Sequence, residues 1–279
     1  MLHVPVSKTA LQSNARATYY PDENGGLKLA RVQVFSTPHF LPRGWEELNP
    51  KPRSGKREEA AAAPEDVARA VRRARRNAFD LIMSNRDLNA FVTYTYSPEA
   101  VDDKASYEDC YKKLRAHLSN GVQRDGLKYV LVPELTKKGD VHFHAIANAE
   151  ALRLQPARNP NNGRLIKRNG EQVYNVGTWT AGFSTAQIIK PRTDGGDARE
   201  AVAKYIFKYM SKNFGAKVGG RYMLHGGKLL HPTYVYGDGV EDFATAEDVA
   251  AAAAYAVEIP GCKGEYKEFD FLRSRKSEA

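Results

Sequence analysis

The stretch Glu134-Leu-Thr-Lys-Lys-Gly-Asp-Val-His142-Phe-His144 leaves the chain few ways to fold. Tyr129 to Leu135 is rich in β-branched and aromatic residues, and Val141 to Ala147 is a second apolar run. Thr-Lys-Lys-Gly-Asp between them is a loop in which Gly139 is free to take φ > 0. The whole reads as one β-hairpin. Side chains alternate faces along a strand, so His142 and His144 leave the same face. With a three-residue loop and a left-handed Gly139, Thr136 pairs with Asp140 and Glu134 lies opposite His142. Two imidazoles and a carboxylate then share one patch of sheet. That mixed nitrogen and oxygen set suits a divalent cation with open positions. A His-x-His pair alone is a weak signal, because a strand histidine is as readily a packed or surface residue.

A second motif, Tyr205-Ile-Phe-Lys208-Tyr209-Met-Ser-Lys212, falls in a segment patterned as a helix from Asp197 to Asn213. Asp197 is placed to cap it, Ala201, Val202, Ile206 and Met210 supply an apolar stripe, and Gly215 ends the run. Tyr205 and Tyr209 are four residues apart and share a helical face. Lys208 and Lys212 do the same on a neighbouring one. Two core tyrosines beside solvated lysines would give the same pattern.

Together, the His-hydrophobic-His strand and the tyrosine helix about sixty residues later resemble the HUH endonucleases. Within them the chain is similar to the two-tyrosine rolling-circle replication initiators of small single-stranded DNA phages, plasmids and prophages. Phe91-Val-Thr-Tyr-Thr-Tyr96 stands where that family has its first motif. The three motifs run from Phe91 to Lys212, somewhat under half of the chain. The order strand, helix, strand, strand and later a helix is close to the βαββαβ plan of a split ferredoxin-like sheet. The fold class expected is α+β: a ferredoxin- or RRM-like central antiparallel sheet with helices packed on it.

The resemblance implies a site-specific DNA nickase and strand-transferase. His142, His144 and Glu134 would hold Mg2+ or Mn2+. Tyr205 and Tyr209 would be the nucleophiles. A phenol has an ordinary pKa of ~10 and needs a nearby cation to ionise at neutral pH, which the metal supplies with help from Lys208 or Lys212. The product would be a 5′-phosphotyrosine link and a free 3′-OH, with one tyrosine for each of the two cuts in a replication round. The partners implied are single-stranded DNA bearing an origin hairpin, and a host helicase and polymerase, since no Walker-type loop is present. A two-tyrosine HUH transposase keeps the same motif order, and a non-catalytic RRM-like nucleic-acid binder keeps the same sheet. Both stay open at this point.

The net charge of +9 and pI near 9.4 favour a polyanionic partner. With only Cys110 and Cys262, neither a disulfide framework nor a cysteine zinc site is supported. There is no run of 18 apolar residues and no charged-then-apolar start, so the expected setting is the cytoplasm of a bacterial host, without a membrane. Basic residues suited to tracking phosphates are Arg72, Arg73, Arg75 and Arg76, on a helix expected from Pro64 to Ser84. Arg164, Lys167 and Arg168 join them on a polar insertion from Leu152 to Glu171. Trp179 is expected in the core. Helices are also expected over Ser106–Ser119 and Glu241–Tyr255. The division expected is an N-terminal extension and linker over 1–60, the core over 61–220, and a C-terminal extension packed on it over 221–279.

Overall fold

The computed structural model describes residues 14–22, 24–36, 64–190, 198–212, 217, 221–261 and 264–274. Two compact units divide the chain: Met1–Ala61 together with His231–Ala279, and Ala62–Leu230. The first begins with strands β1 (Ala15–Pro21) and β2 (Leu27–Phe35). Asp22 accepts the backbone N–H groups of Asn24 and Gly26 and closes the turn between them.

The second unit opens on helix α1 (Pro64–Ser84), with Pro64 at its first position as expected. Then come β3 (Ala90–Tyr94), α2 (Tyr107–Asp125), β4 (Tyr129–Leu135) and β5 (Val141–Ala147). Short strands follow: β6 (Leu154–Pro156), β7 (Lys167–Arg168), β8 (Glu171–Gln172) and β9 (Tyr174–Val176). The unit continues through β10 (Ser184–Ile188), helix α3 (Ala198–Lys212) and β11 (Leu224–Gly226). Its sheet runs β11-β4-β5-β3-β10-β9-β6. Every neighbouring pair is antiparallel. Strands β3 and β4 both flank β5, so α2 crosses over with a strand between, the split arrangement anticipated. The class is α+β as expected.

The plan departs from βαββαβ at the second crossover. Between β5 and β10 lie a short 3-10 turn (Ala149–Leu152) and the small strands β6 to β9, and the tyrosine helix α3 comes only after β10. Helix α2 is longer than Ser106–Ser119. Ser106 caps it through its hydroxyl to Asp109 N, and left-handed Gly126 ends it. Gly121 does not break the helix, because Leu127 packs within 2.9 Å of where its Cβ would stand. On α3 the buried row is Ala203, Ile206 and Met210, at i, i+3 and i+7, while Ala201 faces outward. Asp197 and Gly215, expected to bound this helix, lie outside the described residues.

The sheet carries a core on each face. One holds Leu114 and Leu118 of α2 against Leu131, Phe143 and Trp179, so Trp179 is in the core as anticipated. The other holds Val71, Ala78 and Ile82 of α1 and Ile206 and Met210 of α3 against Val130, Val132 and Ile146. Alternation along β5 sends Phe143 and Ala145 to the first and Ile146 to the second.

The chain then returns to the first unit with β12 (Thr233–Gly237), α4 (Ala246–Ala253), β13 (Val257–Gly261), β14 (Gly264–Asp270) and the short α5 (Phe271–Ser274). The two ends, read from sequence as separate extensions, share one sheet ordered β12-β1-β2-β14-β13. Helix α4 is shorter than Glu241–Tyr255 because Thr245 caps it by accepting from Asp248 N. Among the described residues, no helix is long and apolar enough to cross a membrane.

Candidate active site

The site is built on the β4–β5 hairpin. Gly139 takes φ 91°, Thr136 N donates to Asp140 O at 2.9 Å, and Gly139 N donates to Thr136 O at 3.0 Å. That loop sets the register: Glu134 pairs with His142, and Val132 with His144. The expected pairing holds throughout the hairpin. A Cβ at position 139 would meet nothing within 4 Å, so the glycine serves its φ angle rather than a close approach.

Side-chain geometry adds what register does not specify. The Glu134 carboxylate reaches the diagonal histidine, and His144 Nε2 lies 2.6 Å from Glu134 Oε2. Diagonal neighbours on a strand pair are within reach of a long side chain. On its far side His144 Nδ1 lies 3.1 Å from Thr93 Oγ1, on the neighbouring strand β3, where Thr93 and His144 are direct partners. His144 is therefore held at both ring nitrogens and is 5% exposed. His142 is half-buried. Burial pushes its pKa below the ordinary histidine value, the neighbouring His144 adds to this, and Glu134 and Asp140 oppose it.

An aromatic row leads from this patch to the helix. Phe91, on β3, stacks nearly parallel on His144, with centroids 5.8 Å apart and planes 7° apart. Its other side meets the ring of Tyr205 edge-on at 5.6 Å and 74°. Tyr205 is 47% exposed, so its ring rests on Phe91 while much of it faces solvent. The structure thus brings Glu134, His144 and Tyr205 onto one face of the sheet, joined through Phe91. The side chains of Tyr209, Lys208 and Lys212 lie outside the described residues.

Sequence reasoning missed three contributors. Thr93 and Phe91 read there only as parts of a strand motif. Their spacing, two apart on the strand beside the histidines, was the available signal. Tyr107, at the start of α2, has a buried hydroxyl with no hydrogen-bond partner. Burial, and then the nearby Glu134 carboxylate, raise its pKa.

The basic residues divide. Arg72 and Arg73 are exposed on α1, the helix packed beside α3. Arg75 and Arg76 are half-buried with other interactions, and burial lowers the Arg75 pKa. Arg164, Lys167 and Arg168 are exposed on the β7–β8 hairpin and the turn before it. Arg168 Nη1 lies 3.4 Å from Gln187 Oε1, and Gln187 pairs with Phe91. Arg168 is the one of these three tied by a contact to the site's face.

Two imidazoles and a carboxylate on one strand pair fit a hard divalent cation chemically. Among the described residues, however, no group of three or more His, Cys, Asp or Glu side chains is gathered to hold a metal. The short Glu134–His144 contact explains this, since it engages the Nε2 atom and the carboxylate oxygen a cation would need. Binding an ion requires that contact to open.

Comparison with known proteins gives one similarity. Residues 89–214, just under half of the chain, match the family model of the replication-associated protein ORF2. The matched span contains Phe91, Thr93, Glu134, both histidines and both tyrosines. The similarity is to replication-associated proteins and supports a replication-initiator role with DNA as the partner. No curated protein and no solved structure matches.

Proposed function

We propose that this chain initiates rolling-circle replication by cutting one DNA strand with a tyrosine and later rejoining it. The observation that carries the reading is the row Tyr205, Phe91, His144, Glu134: a solvent-facing phenol fixed on the sheet face that carries both histidines. The family similarity over residues 89–214 supports it independently of that geometry.

The Tyr205 or Tyr209 oxygen attacks phosphorus. The Tyr Oη–P bond forms, the P–O3′ bond breaks, and the departing 3′ oxygen takes a proton to become a 3′-OH. The 5′ end stays covalently attached, so the phosphodiester energy is kept and rejoining needs no ATP. His142, His144 and Glu134 would hold magnesium or manganese, which when bound draws charge off the phosphate and favours the phenolate. Phe91 keeps the Tyr205 ring from folding away. Thr93 and Glu134 hold the His144 ring in one orientation. Lys208 and Lys212 are assigned to stabilise the phenolate, and Arg72, Arg73 and Arg168 to contact the strand's phosphates. Strand separation and synthesis fall to a host helicase and polymerase.

Incubation with single-stranded origin DNA and Mn2+, followed by a denaturing gel, tests this. The parent protein should give a covalent protein–DNA band, and the Tyr205→Phe, Tyr209→Phe double variant should lose it while still binding the DNA. If the parent yields no adduct under those conditions, the chain is a binding protein or uses water as nucleophile, and the proposal fails.

A further inference from the structure

A cleft of ≈ 540 Å³ opens on the other face of the same sheet, within the second unit. Trp179 lines it and belongs to the core of Phe143 and Leu131, whereas His142 and His144 leave β5 on the opposite side. One wall is helix α2. Lys113, His117, Asn120 and Arg124 line the cleft at i, i+4, i+7 and i+11. At 1.5 Å per residue this row is about 16 Å long. Arg153 closes one end, paired with Asp125 at 2.6 Å. Lys113 and Arg124 are exposed and have no hydrogen-bond or ion-pair partner among the described residues. Thr178 and Thr180, also exposed, stand on the opposite wall.

The floor tells what kind of ligand fits. His117, Tyr94 and Trp179 pack edge to face on one another at 5.1 to 5.5 Å. Trp179 is 7% exposed, and its Nε1 donates to Thr95 O at 3.2 Å. No ring face is left for a base to stack on. What the cleft offers is a line of cationic and hydroxyl groups over a sealed aromatic floor. That suits a chain of phosphates and is indifferent to bases. The volume falls in the range of ligand clefts, about 300–1,000 Å³, and its concavity admits one extended strand rather than the convex surface of a duplex.

We propose that this cleft is a second nucleic-acid site, holding the phosphodiester backbone of a single DNA strand away from the reacting one. The inference borrows only the class of polyanion from the proposed function. An initiator that keeps one strand end covalently bound has use for a separate hold on the rest of that strand.

The test uses full-length protein carrying Tyr205→Phe and Tyr209→Phe, with fluorescein-labelled dT10 followed by anisotropy over a salt series. Two further variants are compared: Lys113→Ala with Arg124→Ala, and Lys112→Ala with Arg115→Ala. The second removes the same charge from exposed positions of the same helix that do not line the cleft. Circular dichroism melts confirm that both fold. The cleft variant should weaken dT10 binding and make the slope of log K on log salt shallower by about 1.4, at about 0.7 per lost single-strand phosphate contact. The matched variant should change both much less. Equal effects from the two variants would overturn the proposal, as would no effect from either. A ten-residue polyglutamate that competes as well as unlabelled dT10 would also sink it, because the cleft would then be reading charge alone. The covalent-adduct assay in the tyrosine-intact protein keeps the two readings apart: loss of the cleft effect leaves the adduct untouched, and the reverse.

Discussion

His144 decides most at the scale of single residues. Its Nε2 faces a carboxylate and its Nδ1 a hydroxyl. A hydroxyl both donates and accepts, so Thr93 serves whichever tautomer is present. If Nε2 ligates a metal, the proton moves to Nδ1 and Thr93 accepts it, which makes Thr93 a positioning residue. Thr93→Val keeps the β-branched shape and removes only the hydroxyl. It should weaken Mn2+ affinity by about 10- to 100-fold, the range for lost outer partners of a ligand, with the melting temperature nearly unchanged. Calorimetric titration with Mn2+ reads this directly, and an unaltered affinity would remove Thr93 from the site. His142 and His117 bear on pH. Burial lowers both pKa values below the ordinary value of about 6.5, so protonation favours the unfolded chain. Their contribution to stability is complete above about pH 6.5 and is lost as pH falls below it. Urea unfolding from pH 7.5 to 5.5 should show this decline, and His117→Gln should flatten it.

At the scale of elements, the hairpin was legible and the helix packing was not. Loop length and one glycine set the β4–β5 register, because a one-residue slip would have moved both histidines to the other face. The Tyr205–Phe91 contact depends instead on how α3 lies across the sheet. Its buried row of Ala203, Ile206 and Met210 sets that placement. The apolar pattern is close to symmetrical around the helix, so from sequence Ala201 reads as part of that row. The cap of α2 was readable in Ser106, though its true end was not, since Gly121 is as good a stop signal as Gly126. Ser106→Ala should cost about 1 kcal/mol, the usual worth of a side-chain cap. Thermal melting should show a drop of about 2–4 °C. An unchanged midpoint would mean that the packing of Leu114 and Leu118 holds the helix without the cap.

For the whole molecule, the second unit is one continuous stretch, Ala62–Leu230, whereas the first is made from both ends. Strand β1 pairs with β12, Ala15 against Gly237, and β2 with β14, Phe35 against Tyr266. A fragment of residues 62–230 should therefore melt cooperatively and keep adduct formation. Deleting 231–279 should leave β1 and β2 unpaired on their outer edges and unable to hold a sheet, since an isolated two-stranded hairpin is marginal in water. Circular dichroism of the two truncations checks both. Failure of the 62–230 fragment to fold would mean that the division is not one of stability.

Local chemistry was written in the residues themselves: the hairpin, its register, the shared face of Glu134 and the two histidines, and helix α1 with its apolar stripe. Each depends on neighbours a few positions apart and on fixed strand and helix periods. Packing decided the rest. It bent the Glu134 carboxylate to the diagonal histidine, set Phe91 between His144 and Tyr205, lined a basic cleft behind the sheet, and joined two distant ends in one sheet. Such pairings link residues from about ten to more than two hundred positions apart. Their free energy comes from burial in three dimensions, which no local period records.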